Sequence, residues 1–496
     1  MKNIAVINGT GLRAPAFRPL LDGTSSFARA LSFARELPGV QESVLLLSRP
    51  LEDTQGCLTI VRDRWTIADF MSELARASEG ADDVFYFFAD CPFLDAEMAR
   101  RMHANHRRYF ADYTFADGYP YGLTPEILTK DAIGRLRGLA GEGQGAPDRE
   151  TLFTVIKKDI NSFDIETEIS PSDMRMLRVS LCADTERNFL LLRRIVDNGG
   201  RDAKTACALL GEKPEILRTL PAFFPIQIVE RCPHACAYCP YPLFGGDILS
   251  KSGFMPVESF SALLRKIASF AGEAVIDISL WGEPALHPRI YDMVAAVLVH
   301  PGLDLVIETS GVGWEPGIFS RIGSTLPRSP TWIVSLDATN EELYRTLRGN
   351  GFAEAHRAAE ELISLFPAHA WVQAVRMKEN EDDLEKFFKS WKARTENVIV
   401  QKYDSFSGLL PDRKVADLSP VRRLPCWHLK RDMAVLLDGT VPLCKEDVRA
   451  GTRLGNAFEE DLGLIWDRAQ EVYRSHLSGV YPGICAACDE YYTYNF

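Results

Sequence analysis

The chain has 496 residues, 46% hydrophobic and 25% charged, with a formal net charge of −12. That length exceeds one ordinary domain, and the composition is that of a chain able to bury large cores. The acidic balance argues against a broad nucleic-acid or anionic-membrane surface, which needs clustered Lys and Arg, and no run of about 18 apolar residues offers a membrane span.

The N-terminus, from Met1 to Gly9, carries one basic residue and a short apolar run. It is too short for a signal sequence and reads as a first buried strand, so a cytoplasmic location is expected. Residues 1–200 alternate strands and helices, with strands expected at Ile4–Asn8, Ser43–Leu47 and Val84–Phe88. Residues 201–221 read as a helical linker. From Pro225 a regular series begins, with strands expected at Ile226–Val229, Val275–Leu280, Leu303–Glu308, Trp332–Leu336, Val372–Arg376 and Val398–Gln401. Amphipathic segments such as Val257–Phe270, Glu341–Phe366 and Glu381–Lys392 separate most of them. Six β/α units in a row over residues 222–420 imply a parallel sheet, open or curled into a partial (β/α)6 barrel, with its active site at the C-terminal strand ends. Residues 421–496 have little regular structure and hold four cysteines, so this region is expected to depend on a metal centre. The fold class is α/β throughout.

Seven of the eleven cysteines fall in two groups. The other four, Cys57, Cys91, Cys182 and Cys207, read as buried small hydrophobes. The first group follows the first strand of the β/α series, in Arg231-Cys232-Pro233-His234-Ala235-Cys236-Ala237-Tyr238-Cys239-Pro240. Three thiolates at C-x3-C-x2-C spacing can ligate three irons of a cubane and leave the fourth open for a substrate. A zinc loop is the alternative use of such cysteines. His234 and His287 read as loop or capping residues rather than ligands.

The motif, with aromatic Tyr238 before its third cysteine, resembles the signature of the radical S-adenosylmethionine (SAM) superfamily. The second strand ends in Trp281-Gly282-Glu283-Pro284, similar to the family's Gly-Gly-Glu-Pro segment, with Trp281 in place of the first glycine. The third ends in Thr309-Ser310-Gly311, similar to its Thr-Asn-Gly loop, and the fourth in Ser335-Leu336-Asp337. The resemblance implies a 4Fe–4S cluster on Cys232, Cys236 and Cys239 as the catalytic centre. It implies SAM contacts from Tyr238, Gly282, Glu283, Pro284, Thr309, Ser310, Ser335 and Asp337. It also implies reductive cleavage of SAM to a 5′-deoxyadenosyl radical, driven by an electron donor such as flavodoxin or ferredoxin.

The second group is Cys426, Cys444, Cys485 and Cys488, whose thiolates can close either a zinc site or a fully ligated 4Fe–4S cluster. The run Met433–Cys444, followed by Leu454-Gly455-Asn456 and Leu464-Ile465-Trp466, resembles the SPASM/twitch domain of radical SAM enzymes, which implies a second, auxiliary 4Fe–4S cluster. Asp447 stands as a candidate substrate-side base or an exposed loop carboxylate. The N-terminal region resembles the cytidylyltransferase-like nucleotide-sugar fold through Phe88–Asp95, the segment around Tyr121–Glu126 and Leu177–Asp184, with Asp90 at that family's metal-binding aspartate. No lysine lies between Lys2 and Lys130, so this domain is expected to be degenerate. The domain order resembles the spiro-SPASM family. The expected function is radical modification of a substrate, a peptide or protein by analogy with SPASM-type relatives. Its rivals are a sugar or nucleotide-sugar substrate and a redox- or nucleotide-sensing iron–sulfur protein that never turns over.

Overall fold

The computed structural model describes residues 2–143, 145–244, 246, 252–417, 419–420 and 423–492. The chain forms two compact units, Met1–Thr219 and Leu220–Phe496.

In the first unit, strands β1 (Asn3–Gly9), β2 (Val40–Leu47), β3 (Leu58–Val61), β4 (Asp83–Phe88), β5 (Tyr113–Asp117), β6 (Glu126–Thr129) and β7 (Ile165–Ile169) form one sheet in the order β3-β2-β1-β4-β6-β5-β7. β1 runs parallel to both β2 and β4, while β6 is antiparallel to its two neighbours. The apolar runs here are continuous rather than alternating because both faces are covered. Ile4, Val6, Val44, Leu46, Val84 and Tyr86 feed one core, and Ala5, Ile7, Leu45, Leu47, Phe85 and Phe87 feed the other. The helix Ala203–Glu212 and the turn Pro214–Leu217 bury Ala206, Leu210 and Ile216 against Leu123, Leu181 and Leu192 of the same unit.

In the second unit, β8 (Phe223–Pro225), β9 (Ala274–Asp277), β10 (Leu303–Thr309), β11 (Thr331–Ser335), β12 (Ala370–Arg376) and β13 (Val398–Lys402) pair in chain order, all parallel, as a curled half-barrel. Helices such as Val257–Ala271, Ile290–Leu298, Phe352–Leu365 and Glu381–Lys392 cross between them.

Two elements differ from expectation. The first strand is Phe223–Pro225 rather than Ile226–Val229. The apolar run after it leaves the ladder, and Ile226 and Gln227 bridge to Val435 and Ser279. The run is apolar because it is enclosed, not because it is sheet. The helix expected over Glu341–Phe366 breaks into Glu341–Leu347 and Phe352–Leu365, since Gly349 and Gly351 take φ of 114° and 112°.

The C-terminal region is better formed than its composition implies. It contains helices Trp427–Arg431, Leu462–Arg468 and Gln470–Leu477 and an antiparallel pair, β14 (Thr440–Pro442) and β15 (Arg453–Asn456). Its apolar residues, among them Val435, Leu443, Ile465 and Trp466, belong to the same core as Phe224, Ile276 and Leu305 of the barrel. Residues 432–435 lie along the outer edge of β8, where Met433 N–H donates to Phe223 O at 3.0 Å and Val435 N–H to Pro225 O at 2.8 Å. Among the described residues no helix is long and apolar enough to cross a membrane.

Candidate functional site

The loop after β8 brings Cys232, Cys236 and Cys239 to the wall of a cavity of about 240 Å3 at the C-terminal end of the sheet. Tyr238 and Gly282 share that wall, as do Trp281, Glu308, Asp404, Phe406 and Lys445. Burial is the first cause that raises each of the three thiols, with Cys232 pushed up to about 12 by burial and then by the Glu283 carboxylate. Ligation by a cation offsets this cost by favouring the thiolate.

Among the described residues neither cysteine group forms a compact single-ion arrangement. In neither group do three thiols lie within 4.8 Å of one another, whereas tetrahedral zinc at about 2.3 Å from each sulfur needs sulfurs about 3.8 Å apart. Thiols that surround a common cavity at wider spacing fit the corners of a cluster.

The other residues singled out in the sequence hold the strand ends together. Glu283, 3% exposed, accepts from Thr309 Oγ1 and, at 2.8 Å, from the Ser310 N–H, so it locks the end of β9 to the end of β10. Burial raises its carboxyl, and these hydrogen bonds oppose the rise. Thr309 Oγ1 also accepts from Trp314 Nε1 at 2.9 Å, and Pro284 opens the turn Pro284–Leu286. Gly282 has φ of 93°, and a Cβ there would collide with the Val229 carbonyl oxygen. Ser335 Oγ donates to Glu308 Oε1 at 2.9 Å. Gln373 Nε2 reaches the same oxygen at 2.7 Å.

Asp337 is fully enclosed. Its Oδ1 accepts from Val375 N at 2.7 Å, and its Oδ2 accepts from Tyr238 O–H at 2.8 Å and from Arg348 Nη1 at 2.6 Å. This network ties the cysteine loop, through Tyr238, to the end of β11. Glu283, Pro284, Thr309, Ser310, Ser335 and Asp337 are not among the described residues that line this cavity.

Arg348 is the chief residue that the sequence reading missed. It is 6% exposed, bonds both Tyr238 and Asp337, and helps depress His234 to about 4, second to burial. The signal was the Arg348-Gly349-Asn350-Gly351 run, where a cation meets two glycines at the helix break. His234 Nε2 meets the Asn350 carbonyl of that run at 2.9 Å, and His287 Nε2 meets Met255 O at 3.0 Å, so both act as loop ties.

Trp281 takes φ of 49°, which a bulky residue rarely adopts, and stacks on Tyr241 at 6.1 Å and against Phe406 at 5.6 Å. Phe406 also has φ of 49°. Strain of this kind concentrates where a surface is shaped for a ligand. Below them, burial followed by Glu308 raises Asp277 to about 7.

Cys426, Cys444, Cys485 and Cys488 line a second, smaller pocket with His428, Glu446, His476 and Arg423. Burial leads the rise of all four thiols, with Cys426 pushed up to about 12. Lys445 lines the first cavity and Glu446 the second, so one dipeptide separates the two pockets. Asp447 is neither a free base nor an exposed carboxylate. It is 4% exposed and caps a turn, accepting from Gly451 N and Thr452 N at 2.8 Å each.

In the first unit, Asp90 is 5% exposed and paired with Arg149 Nη2 at 2.5 Å, and the same nitrogen meets Asp184 at 3.1 Å. The guanidinium lies over Phe88 and Tyr121, at 4.6 and 5.2 Å from the ring centres. Cys91 and Cys182 bring their sulfurs within 3.5 Å of each other beside it.

Residues 226–390 match the family described as the radical SAM superfamily, and residues 426–489 match an iron-sulfur cluster-binding domain, SPASM. The chain is 43% identical over 358 residues to an uncharacterized protein of Treponema pallidum (strain Nichols), covering 70% of this chain and 98% of that one. It is 28% identical over 180 residues to the PqqA peptide cyclase of Ruegeria pomeroyi, covering 36% of this chain and 45% of the cyclase. Among solved structures it is similar to Streptococcus suis SuiB bound to precursor peptide SuiA, at 16% identity and a TM-score of 0.42, covering 64% of this chain and 78% of that one.

Proposed function

The chain belongs to the radical SAM superfamily, and from that premise we propose that it is an enzyme that modifies a peptide or protein through the cavity beside Cys232, Cys236 and Cys239. The observation that carries this reading is the convergence of the three thiols, the strained aromatic pair Trp281 and Phe406, and the polar residues Asp404 and Lys445 on one cavity wall. The similarity to a peptide cyclase supports a peptide substrate. On this reading residues 222–420 form the catalytic domain and 421–496 the auxiliary domain, while residues 1–200 perform no nucleotidyl transfer.

When bound, a 4Fe–4S cluster on the three cysteines supplies the electron that cleaves SAM and yields the hydrogen-abstracting 5′-deoxyadenosyl radical. The protein's own residues do the positioning. Tyr238, held by Asp337 and Arg348, fixes the cysteine loop. Glu283 fixes the two strand ends on which SAM's polar groups would rest. Trp281, Tyr241 and Phe406 offer an aromatic wall that orients a side chain of the substrate and excludes water. Asp277, raised to about 7, can hold or release a proton at its carboxyl near neutral pH. Cys426, Cys444, Cys485 and Cys488 would hold a second cluster, which would supply electron transfer. The reductant has the chemistry of a flavodoxin or ferredoxin.

The test is anaerobic incubation with SAM and dithionite, with 5′-deoxyadenosine measured for the parent and for a variant with Cys232, Cys236 and Cys239 all changed to Ala. The variant is expected to lose about four irons per chain and all 5′-deoxyadenosine formation. Persistent formation in the variant would sink the reading. Peptides from host extract that change mass only with the parent would identify the substrate.

A further inference from the structure

The pocket of Cys426, Cys444, Cys485 and Cys488 receives two buried imidazoles, and their hydrogen bonds set them in opposite states. His476, 2% exposed on the helix Gln470–Leu477, accepts the backbone N–H of Cys426 at Nδ1, at 3.3 Å. A neutral ring that accepts at Nδ1 carries its proton on Nε2. That Nε2 is buried and has no partner among the described residues. The ring is held edge-on to Tyr481, with centres 4.8 Å apart and planes at 72°.

His428 shows the reverse arrangement. Its Nδ1 lies 2.5 Å from Asp432 Oδ2, so this nitrogen donates to the carboxylate. Arg423 also faces the pocket. It donates to the carbonyls of Cys485 and Ala486, and its guanidinium plane lies 3.8 Å from the centre of the Tyr481 ring. Glu446 and Tyr491 are the other titratable groups, besides the four cysteines, that line the pocket. His476, whose Nδ1 accepts from Cys426, therefore carries its N–H on Nε2 in the pocket that the four cysteines line.

We propose that His476 donates a hydrogen bond from Nε2 to a sulfur of the auxiliary cluster and raises its reduction potential. The inference rests on the reading that these four cysteines hold an iron–sulfur cluster. A donated proton places positive charge beside sulfur that becomes more negative on reduction, so it stabilises the reduced form more than the oxidised one. The auxiliary cluster is thereby tuned to accept an electron rather than to give one. An interaction of this kind orients and tunes the cofactor and takes no part in bond cleavage at SAM.

The experiment uses the full-length chain with Cys232, Cys236 and Cys239 changed to Ala, which isolates the auxiliary cluster. His476→Phe and His476→Gln are added separately to that chain. Potentiometric titration followed by electron paramagnetic resonance should give a lower midpoint for Phe than for the parent. Gln keeps an N–H donor and should recover part of the difference. Hyperfine spectroscopy after exchange into heavy water should show one exchangeable proton coupled to the parent cluster and missing from the Phe variant. An unchanged midpoint together with unchanged exchangeable couplings, at full iron content, would overturn the proposal. If Phe assembles no cluster, the parent and Gln decide: an exchangeable coupling that Gln alters supports it, and none overturns it. Zinc instead of iron in the parent would overturn the auxiliary-cluster reading itself, and metal analysis would show this before any His476 variant is compared.

Discussion

Two buried polar clusters, one in each unit, differ in how their charge is balanced. In the first unit Asp90 and Asp184 share the cation of Arg149, supplied by the same chain and stacked on Phe88 and Tyr121. In the second unit the three thiols of the cysteine loop face a cavity, and the nearby cation, Arg348, is committed to Asp337. A set of buried thiols around a cavity has chemistry left over. The contrast is between carboxylates that share an internal cation and thiols that face a cavity, although both clusters are buried and rich in metal-ligating atoms.

The largest effect that sharpens this contrast is expected at Asp337. Its carboxylate is enclosed and partners an enclosed guanidinium, so Asp337→Asn leaves Arg348 without its countercharge at a cost of about 3–5 kcal/mol. Thermal unfolding should show the second unit melting earlier and the first unit unchanged. Loss of SAM affinity with no loss of stability would instead return Asp337 to a direct role in ligand binding.

A smaller loss is expected at Arg149. Its side chain is 23% exposed, and Asp90 can protonate when the cation is gone, so Arg149→Met should destabilise the first unit by about 2–3 kcal/mol. Adding Asp90→Asn should recover part of that loss. SAM cleavage in both variants should equal that of the parent. Magnesium-dependent pyrophosphate release from CTP, lost with Asp90→Asn, would break the comparison by making the first unit a working site.

The smallest effect is a pH dependence in the first unit. Burial raises the Glu126 carboxyl to about 7, against the Tyr113 hydroxyl that donates to it at 2.6 Å. The folded state therefore binds this proton more tightly than the unfolded state does. Its contribution to stability is complete below an unfolded value of about 4.5 and is lost as pH rises through about 7. Glu126→Gln should remove a slope on the order of 2 kcal/mol between those limits, read as denaturant midpoints at a series of pH values. Parallel curves for the two proteins would show that Glu126 does not titrate in this range.

The strand order of the barrel was legible because short strands rich in Val, Ile and Leu alternate with amphipathic helices, even where, as in Leu303–Thr309, buried and exposed residues alternate. The cysteine loop was legible because all its thiols come from one short segment. What the sequence concealed depends on distance along the chain. Arg348 meets Tyr238 across 110 residues, and Glu283 accepts from Thr309 and Ser310 some 26 residues away in the chain. The helical period across Glu341–Phe366 hid the break that Gly349 and Gly351 impose. The core of the C-terminal region was invisible locally, since Val435, Ile465 and Trp466 are buried by residues of the barrel.

The pairing of residues 432–435 with β8 has a consequence for how the protein is assembled during synthesis. β8 is the strand from which the cysteine loop springs, and its outer backbone groups are satisfied by a segment made about 200 residues later. Until that segment leaves the ribosome, Phe223–Pro225 is an open sheet edge, prone to pair with another chain. The first cysteine loop therefore gains a settled foundation only when translation is nearly complete. Cofactor loading is set late in the life of the nascent chain, and any fragment that stops before residue 432 would carry the loop on an unprotected edge.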